Sequence, residues 1–394
     1  MQTRLADFIR DTPEGREAEA ILRKCVHCGF CTATCPTYQV LGDDLDSPRG
    51  RIYLIKRALE GAPVTERTQL HLDRCLTCRA CETTCPSGVR YGRLVDIGRA
   101  YVEKHTRRKP WDRLRRAVLS FGLPRTALFS AALRVGQLVK MAPATRPGGA
   151  WPAARHGRKM LVLRGCVQSA LAPSINAAAA RVLDRIGVSL LEVPGAGCCG
   201  GVRFHLNDQE AGRDDMRALV DAWWPLVAGR EIEAIVMTAS GCGVTVKDYE
   251  HLLAIDQNYQ GKATRISELT QDLCEVIKPE DLPAGTNRGR IAFHSPCTLQ
   301  HGQQLRGKVE SLLTRVGYEL VPVRDAHLCC GSAGTYSLLQ PQIAGELRAR
   351  KLAALEEGAP QAIATANIGC LMHLQAPTAT PVRHWIELVD AALA

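Results

Sequence analysis

From Lys159 onward, short runs of apolar residues alternate with longer stretches whose apolar positions recur at helical spacing. Lys159-Met-Leu-Val-Leu-Arg-Gly-Cys166 and Arg290-Ile-Ala-Phe-His-Ser-Pro-Cys297 are two such runs. They are continuously apolar rather than alternating, which predicts strands of a parallel sheet buried on both faces. Each leads into a helical segment, Ser174 to Ile186 and Gln303 to Val316, and then into a second strand, Val188 to Val193 and Tyr318 to Val323. A further helix and a third strand, Glu233 to Thr238 and Gln361 to Thr365, complete each unit. This alternation predicts two parallel α/β sheets that bind ligands at the carboxyl ends of their strands.

Cysteines follow those ends. Cys166 precedes Cys198-Cys199-Gly200 by the same interval that separates Cys297 from Cys329-Cys330-Gly331, and the units close on Ala239-Ser-Gly-Cys242 and Asn367-Ile-Gly-Cys370. The chain therefore carries an internal duplication, which could set two cysteine-bearing lobes face to face. Repetition makes Cys166, Cys198, Cys199, Cys242, Cys297, Cys329, Cys330 and Cys370 candidate cofactor ligands or redox groups. Packing as a small apolar side chain is the alternative for any single member. Gly200, Gly201, Gly331 and Gly334 are expected to let the backbone approach a bulky inorganic ligand. Cys274 has no counterpart and reads as a core residue in a helix. Gly195-Ala-Gly197-Cys-Cys-Gly200 has the GxGxxG spacing, but two cysteines fill its loop and the duplicate unit does not preserve it, so no dinucleotide site is read there.

The N-terminal segment carries a denser signal. Cys25-x2-Cys28-x2-Cys31-x3-Cys35-Pro36 recurs as Cys75-x2-Cys78-x2-Cys81-x3-Cys85-Pro86. Three thiolates on a tight loop can hold one cubane while the fourth, before a proline, reaches the neighbouring cluster. The assignment is Cys25, Cys28, Cys31 and Cys85 to one 4Fe-4S cluster, and Cys75, Cys78, Cys81 and Cys35 to the other. Tetrahedral zinc needs four ligands with a longer gap between pairs and fits these eight poorly. A disulfide framework is disfavoured in a chain long enough to build a core and without a secretory signal.

Length and composition fit a multidomain globular protein: 394 residues, 46% hydrophobic. The opening Met1 to Glu17 lacks an apolar h-region, and no apolar run is long enough to span a bilayer, so a cytoplasmic location with at most peripheral membrane contact is expected. The formal charge of +10 is concentrated around Lys104, Arg107, Arg108, Lys109, Arg113, Arg115 and Arg116. Such a cluster suits acidic lipid headgroups, nucleic acid, an acidic partner or plain solvation. Leu128, Ala132, Leu133 and Val135 to Leu138 add a weakly amphipathic stretch, and Ala142 to Ala154 reads as a linker. With only 5% aromatic residues the chain lacks the stacking platform expected of a nucleic-acid binder. The expected domains are a helical dicluster ferredoxin-type domain (1–103), a basic helical connector and linker (104–158), and two parallel α/β lobes (159–284 and 285–394), an α+β multidomain architecture.

Two CxxCxxCxxxCP runs followed by two CCG units resemble the iron-sulfur subunit of bacterial glycolate oxidase. His294-Ser-Pro-Cys-Thr-Leu-Gln-His-Gly302 and His327-Leu-Cys-Cys-Gly-Ser-Ala-Gly-Thr-Tyr336 are particularly similar to it. The resemblance implies an electron-transfer subunit of a membrane-associated glycolate dehydrogenase. Separate flavin subunits there oxidise glycolate, and D-lactate as an additional substrate, and electrons pass to a quinone or other acceptor. Related glycerol-3-phosphate and lactate complexes, or a thiol/disulfide oxidoreductase acting at the CC pairs, are the alternatives. CCG units of heterodisulfide reductases close on CxxC and hold a noncubane cluster; here Ala239 and Asn367 take the first position. A third iron-sulfur centre in the lobes, of another type, is one expectation. His294, His301 and His327 lie near the second set and could ligate metal, handle quinone-coupled protons or satisfy backbone groups, the last being expected of any single one.

Overall fold

The computed structural model describes residues 1–394. Its N-terminal part is helical. Helices Pro13–Lys24 and Pro48–Leu59 open on proline and are capped by Thr12 and Ser47, whose Oγ atoms accept from the Gly15 and Gly50 amides at 3.0 Å. Their apolar faces, Ala18, Ile21 and Leu22 with Ile52, Ile55 and Leu59, meet Leu94, Val95 and Val102 of helix Tyr91–His105. Cys25, Cys75 and Cys81 belong to this same core. The cysteine loops are thus rooted in packed structure rather than hung from it.

Two four-stranded sheets follow. The first contains β1 (Arg158–Val162), β2 (Val188–Glu192), β3 (Ala234–Met237) and β4 (Thr270–Asp272), all parallel, in the order β2-β1-β3-β4. The second contains β5 (Arg290–His294), β6 (Glu319–Val321), β7 (Ala362–Thr365) and β8 (Val382–His384), all parallel, in the order β6-β5-β7-β8. The identical order bears out the duplication. In both sheets the topology switches beside the first strand, which opens a crevice at its carboxyl end.

The three expected strands of each unit are present, and each sheet has a fourth that the apolar pattern did not reveal. β4 is Thr-Gln-Asp and β8 is Val-Arg-His, edge strands too short and polar to register as apolar runs. The helix expected from Gln303 begins only at Lys308. A single π-helical turn, Thr298–Gly302, occupies the preceding segment and is followed by Gln304 in a left-handed conformation (φ +59°). Such turns favour functional sites.

The lobes share one continuous core. Helix Ser174–Arg185 of the first packs on the C-terminal helix Trp385–Leu393 of the second, fastened by Arg181 to Asp390 (2.5 Å) and Ser174 Oγ to Glu387 (2.7 Å). The strand-end loops also meet: the Ser240 amide donates to the Ala366 carbonyl (3.1 Å), and the Ser240 and Thr298 hydroxyls lie 2.7 Å apart.

Between the helical part and the lobes lie helices Pro110–Gly122 and Thr126–Leu138. The first is turned inside out. Its polar residues face the body: Arg116, with the neighbouring Arg108, pairs with Asp73 at 3.1 and 2.6 Å, and Ser120 Oγ donates to Asp208 at 2.9 Å. Its apolar residues Trp111, Leu114, Val118 and Phe121 are exposed, and Leu128, Val135, Leu138, Val139 and Met141 continue that surface. No helix is long and apolar enough to cross a membrane.

Candidate iron-sulfur sites and the lobe cysteines

The N-terminal cysteines gather around two cavities. One is lined by Cys25, Cys28, Cys31 and Cys85, and also by Cys81. The other is lined by Cys35, Cys75, Cys78 and Cys81. The fourth cysteine of each run has crossed to the other run's cavity, the grouping expected of a dicluster fold. Residues and space therefore fit two cubanes.

The two loops share a backbone pattern. The second residue after the leading cysteine and the residue after the middle one are left-handed: His27 (φ +61°) and Gly29 (φ +90°) in one run, Thr77 (φ +51°) and Arg79 (φ +59°) in the other. Three of these four are not glycine, so the conformation is held at a cost that marks a functional loop. The Thr77 amide donates to Cys75 Sγ at 3.4 Å. Burial pushes the Cys31 thiol up to about 11 and Cys78 and Cys81 well above the ordinary range. These sulfurs are protonated when free, so metal uptake must displace protons.

The sites differ in surroundings. Cys28 is exposed, and Val26 and Phe30 beside it are 68% and 63% exposed, so the first cavity opens to the surface. The second lies against the second lobe. Leu76 and Cys78 pack in one apolar cluster with Cys297, Cys329 and Tyr336 of the second lobe, and Tyr336 donates its hydroxyl to the Arg74 carbonyl at 3.1 Å. Arg51, 1% exposed, borders this cavity and reaches Asp46, which also accepts from His71 (3.0 Å) and Arg74 (2.8 Å). On the first lobe, Asp248 receives Arg79 (2.9 Å) and Arg93 (2.7 Å).

In each lobe all four duplicated cysteines meet at the carboxyl ends of the strands. Cys166, Cys198, Cys199 and Cys242 stand near one another, each thiol influencing the ionisation of the next. Cys297, Cys329, Cys330 and Cys370 repeat the series, with Cys297 and Cys329 Sγ 3.8 Å apart. Contact with the neighbouring thiol and burial push Cys166 and Cys297 far up. Cys199, Cys329 and Cys330 are each lowered by the preceding thiol, but raised more by the following one together with burial. Buried thiols so reluctant to ionise are poor nucleophiles, which speaks against a thiol oxidoreductase at the CC pairs.

The role expected of the CCG glycines needs correction. Gly200 (φ +80°) and Gly331 (φ +91°) face protein backbone, not ligand space: a Cβ there would stand 2.4 Å from the Gly212 carbonyl and 2.7 Å from that of Ala344. They let the thiol loop seat on the following helix. Asn367 is explained as a helix cap, its side chain accepting from the Gly369 amide at 3.4 Å. Cys274 is buried in the core, as expected.

The histidines divide. His301 does satisfy a backbone group, bonding the His327 carbonyl at 2.8 Å while its other nitrogen meets Thr83 at 3.0 Å. His294 does not: it is 2% exposed and neither ring nitrogen has a partner. A residue read from sequence as a backbone anchor is thus a buried polar group without an anchor.

A model of the 4Fe-4S dicluster domain matches residues 21–89, and one of the cysteine-rich CCG domain matches residues 160–247 and 291–375. The chain is 53% identical to the glycolate oxidase iron-sulfur subunit of Escherichia coli, over 100% of its own length and 99% of the relative's. It is 26% identical to a probable glycolate oxidase iron-sulfur subunit of Bacillus subtilis, covering 91% and 90%. Lactate utilization protein A of Geobacillus kaustophilus is 28% identical, over 57% of this chain and 96% of that one. A crystal structure of a hypothetical protein from Helicobacter pylori shares the fold at a TM-score of 0.55 and 10% identity, covering 97% of this chain and 72% of that chain. With near-complete coverage at that identity, and both domain types in the expected order, the chain belongs to the family of glycolate oxidase iron-sulfur subunits.

Proposed function

We propose that the chain relays electrons from partner flavin subunits, which oxidise glycolate to glyoxylate, toward a quinone or other acceptor. The pair of four-cysteine cavities, each joining three cysteines of one run to the fourth of the other, carries this reading. Each 4Fe-4S cluster, when bound, accepts and returns one electron at a time. Cys25, Cys28, Cys31 and Cys85 would hold the first, and Cys35, Cys75, Cys78 and Cys81 the second. The left-handed loops position these sulfurs, and burial shields Cys25, Cys35, Cys75 and Cys81 while Cys28 is exposed. Exposed Val26 and Phe30 offer an apolar rim for a partner's redox group. D-lactate as a second substrate of the complex is favoured by the lactate utilization relatives.

Iron and sulfide analysis with EPR on anaerobically purified protein tests the ligand sets. About eight irons per chain are expected from the two clusters, and about twelve with a third iron-sulfur centre in one lobe. Cys25→Ser and Cys85→Ser should lose the same EPR signal, Cys35→Ser and Cys75→Ser the other. If Cys25 and Cys35 variants instead share a phenotype, the crossed assignment is wrong. Reduction by glycolate should require the flavin subunits; turnover by this chain alone would overturn the relay.

The inside-out helix supports peripheral attachment to an anionic bilayer. Between Lys104 and Ala150 the one acidic residue is Asp112, and it is already paired with Arg108 and Arg116. Lys104, Arg107, Lys109, Arg113, Arg125, Arg134 and Lys140 are exposed beside the apolar face. A cationic rim around an apolar helical surface matches the headgroup boundary, each basic residue adding about 1 kcal/mol near an anionic surface. Vesicles containing phosphatidylglycerol should retain the protein at low salt and release it at high salt, and Trp111→Ser/Phe121→Ser should abolish retention. Equal retention on neutral phosphatidylcholine vesicles would count against this attachment.

A further inference from the structure

Two groups in the chain bring three potential donor atoms within 4.8 Å of one another: Asp43 with Asp46 and His71, and His294 with Cys330 and Cys370. In the first, Asp46 and His71 are already bonded, Asp46 to two arginines and to His71 itself. In the second, all three residues are buried and the imidazole has no hydrogen-bond partner on either nitrogen. A buried imidazole in that condition forfeits about 1–3 kcal/mol unless something occupies its lone pair.

The spacing says what that something is. Around a tetrahedral ion with Zn–S near 2.3 Å, ligand atoms sit roughly 3.8 Å apart. Thiolates on a cubane must stand farther out, around an inorganic core that fills space, and the eight N-terminal cysteines do so: they ring two cavities and form no such tight triplet. The donors of the second lobe lie within 4.8 Å of one another, close enough to close on a single ion with small side-chain movement.

We infer that His294, Cys330 and Cys370 bind a single thiophilic, tetrahedral divalent ion of the zinc type, and that only the second lobe has this site. Cys329, adjacent to Cys330 in the chain and buried, is the thiol nearest at hand for the fourth position. The buried Lys351, 3% exposed and donating to the Asp325 carbonyl at 2.7 Å, lies within the electrostatic reach of Cys330, Cys329 and Cys297. Three thiolates, one neutral imidazole and a divalent ion carry one net negative charge, which Lys351 offsets.

The duplication supplies an internal control. Superposing Cys166 on Cys297 by sequence places Leu163 where the second lobe has His294, and the turn matching Lys351 carries Leu219 and Val220, all three buried. The first lobe thus keeps the four cysteines and lacks both the nitrogen donor and the counter-charge.

Metal analysis of the purified full-length chain tests this independently of the relay, because the N-terminal iron count reports on the latter separately. One zinc per chain beyond the cluster iron is expected. His294→Leu, which installs the first lobe's residue and removes an unsatisfied polar group, should lose that zinc, retain cluster iron and remain folded. His294→Cys should restore it. Protein grown with cobalt should show thiolate-to-cobalt charge-transfer bands that His294→Leu abolishes and Leu163→Ala leaves unchanged. Absence of non-iron metal in the wild type, or zinc unchanged in His294→Leu, overturns the site. Iron above eight that falls in His294→Leu overturns it as well, in favour of an iron-sulfur centre.

Discussion

Replacing Cys78 with alanine is expected to remove one of two clusters, taking the iron content from about eight to about four per chain, and to abolish acceptor reduction by the assembled oxidase. Glycolate should still reduce the flavin subunits, because no residue of the second cavity need touch that substrate. The choice of Cys78 sharpens the test. It lines the second cavity and packs against Cys297 and Cys329, so it stands where the N-terminal part meets the second lobe. Four irons should persist on Cys25, Cys28, Cys31 and Cys85, which line the other cavity. Loss of all iron would mean that the two sites fold as one unit. Unimpaired acceptor reduction would remove the second cavity from the electron path.

Asp46→Asn should destabilise the fold by about 3–5 kcal/mol, the cost of leaving buried cations without their anion. Asp46 is fully buried, with Arg51 at 3.4 Å and Arg74 at 2.8 Å, and the Arg51 side chain is 1% exposed. Asparagine keeps the shape and removes the charge. Against a typical total stability of about 5–15 kcal/mol the loss is large, and a urea midpoint measured with clusters intact reads it directly. Asp44→Asn is the matched control: Asp44 pairs with Arg49 at 3.0 Å but both side chains are at least a third exposed, so about 1 kcal/mol or less is expected. Equal effects from the two substitutions would refute the burial argument. Cys35 Sγ lies 3.7 Å from the Asp46 carbonyl, so Asp46→Asn should also loosen cluster retention at the second cavity.

Covalent spacing made the N-terminal site readable. Four cysteines within eleven residues of chain leave the loop few ways to arrange itself, and the repeat of that run is what suggested the exchange of Cys35 and Cys85, each of which lines the other run's cavity. The duplication was equally plain, and three strands of each sheet showed as apolar runs because parallel strands are buried on both faces. β4 and β8 escaped because an edge strand of three residues is held by backbone pairing to one neighbour, which leaves little trace in side-chain pattern. The π-helical turn at Thr298–Gly302 is a similar case: Ser240 of the other lobe bonds Thr298 within it, and Asp272 of that lobe accepts from Gln303 just after it, contacts no local window contains. The isolation of His294 is a property of what fails to surround it. Periodicity placed apolar positions on the connector but not their direction, since Asp73 and Asp208, which turn the first connector helix polar-side inward, lie far away in the chain.

The Tyr336 hydroxyl beside the second cavity bonds a carbonyl 262 residues earlier in the chain. A ribosome adding about 5–20 residues per second needs on the order of tens of seconds to make that stretch. Throughout that interval the emerging N-terminal part lacks Tyr336, Ile343 and Leu347, which afterwards pack in one cluster with Leu76 and Cys78 beside the cavity. The second cavity therefore gains its lobe neighbours only once nearly the whole polypeptide exists, so its surroundings in a nascent or truncated chain differ from those in the finished one.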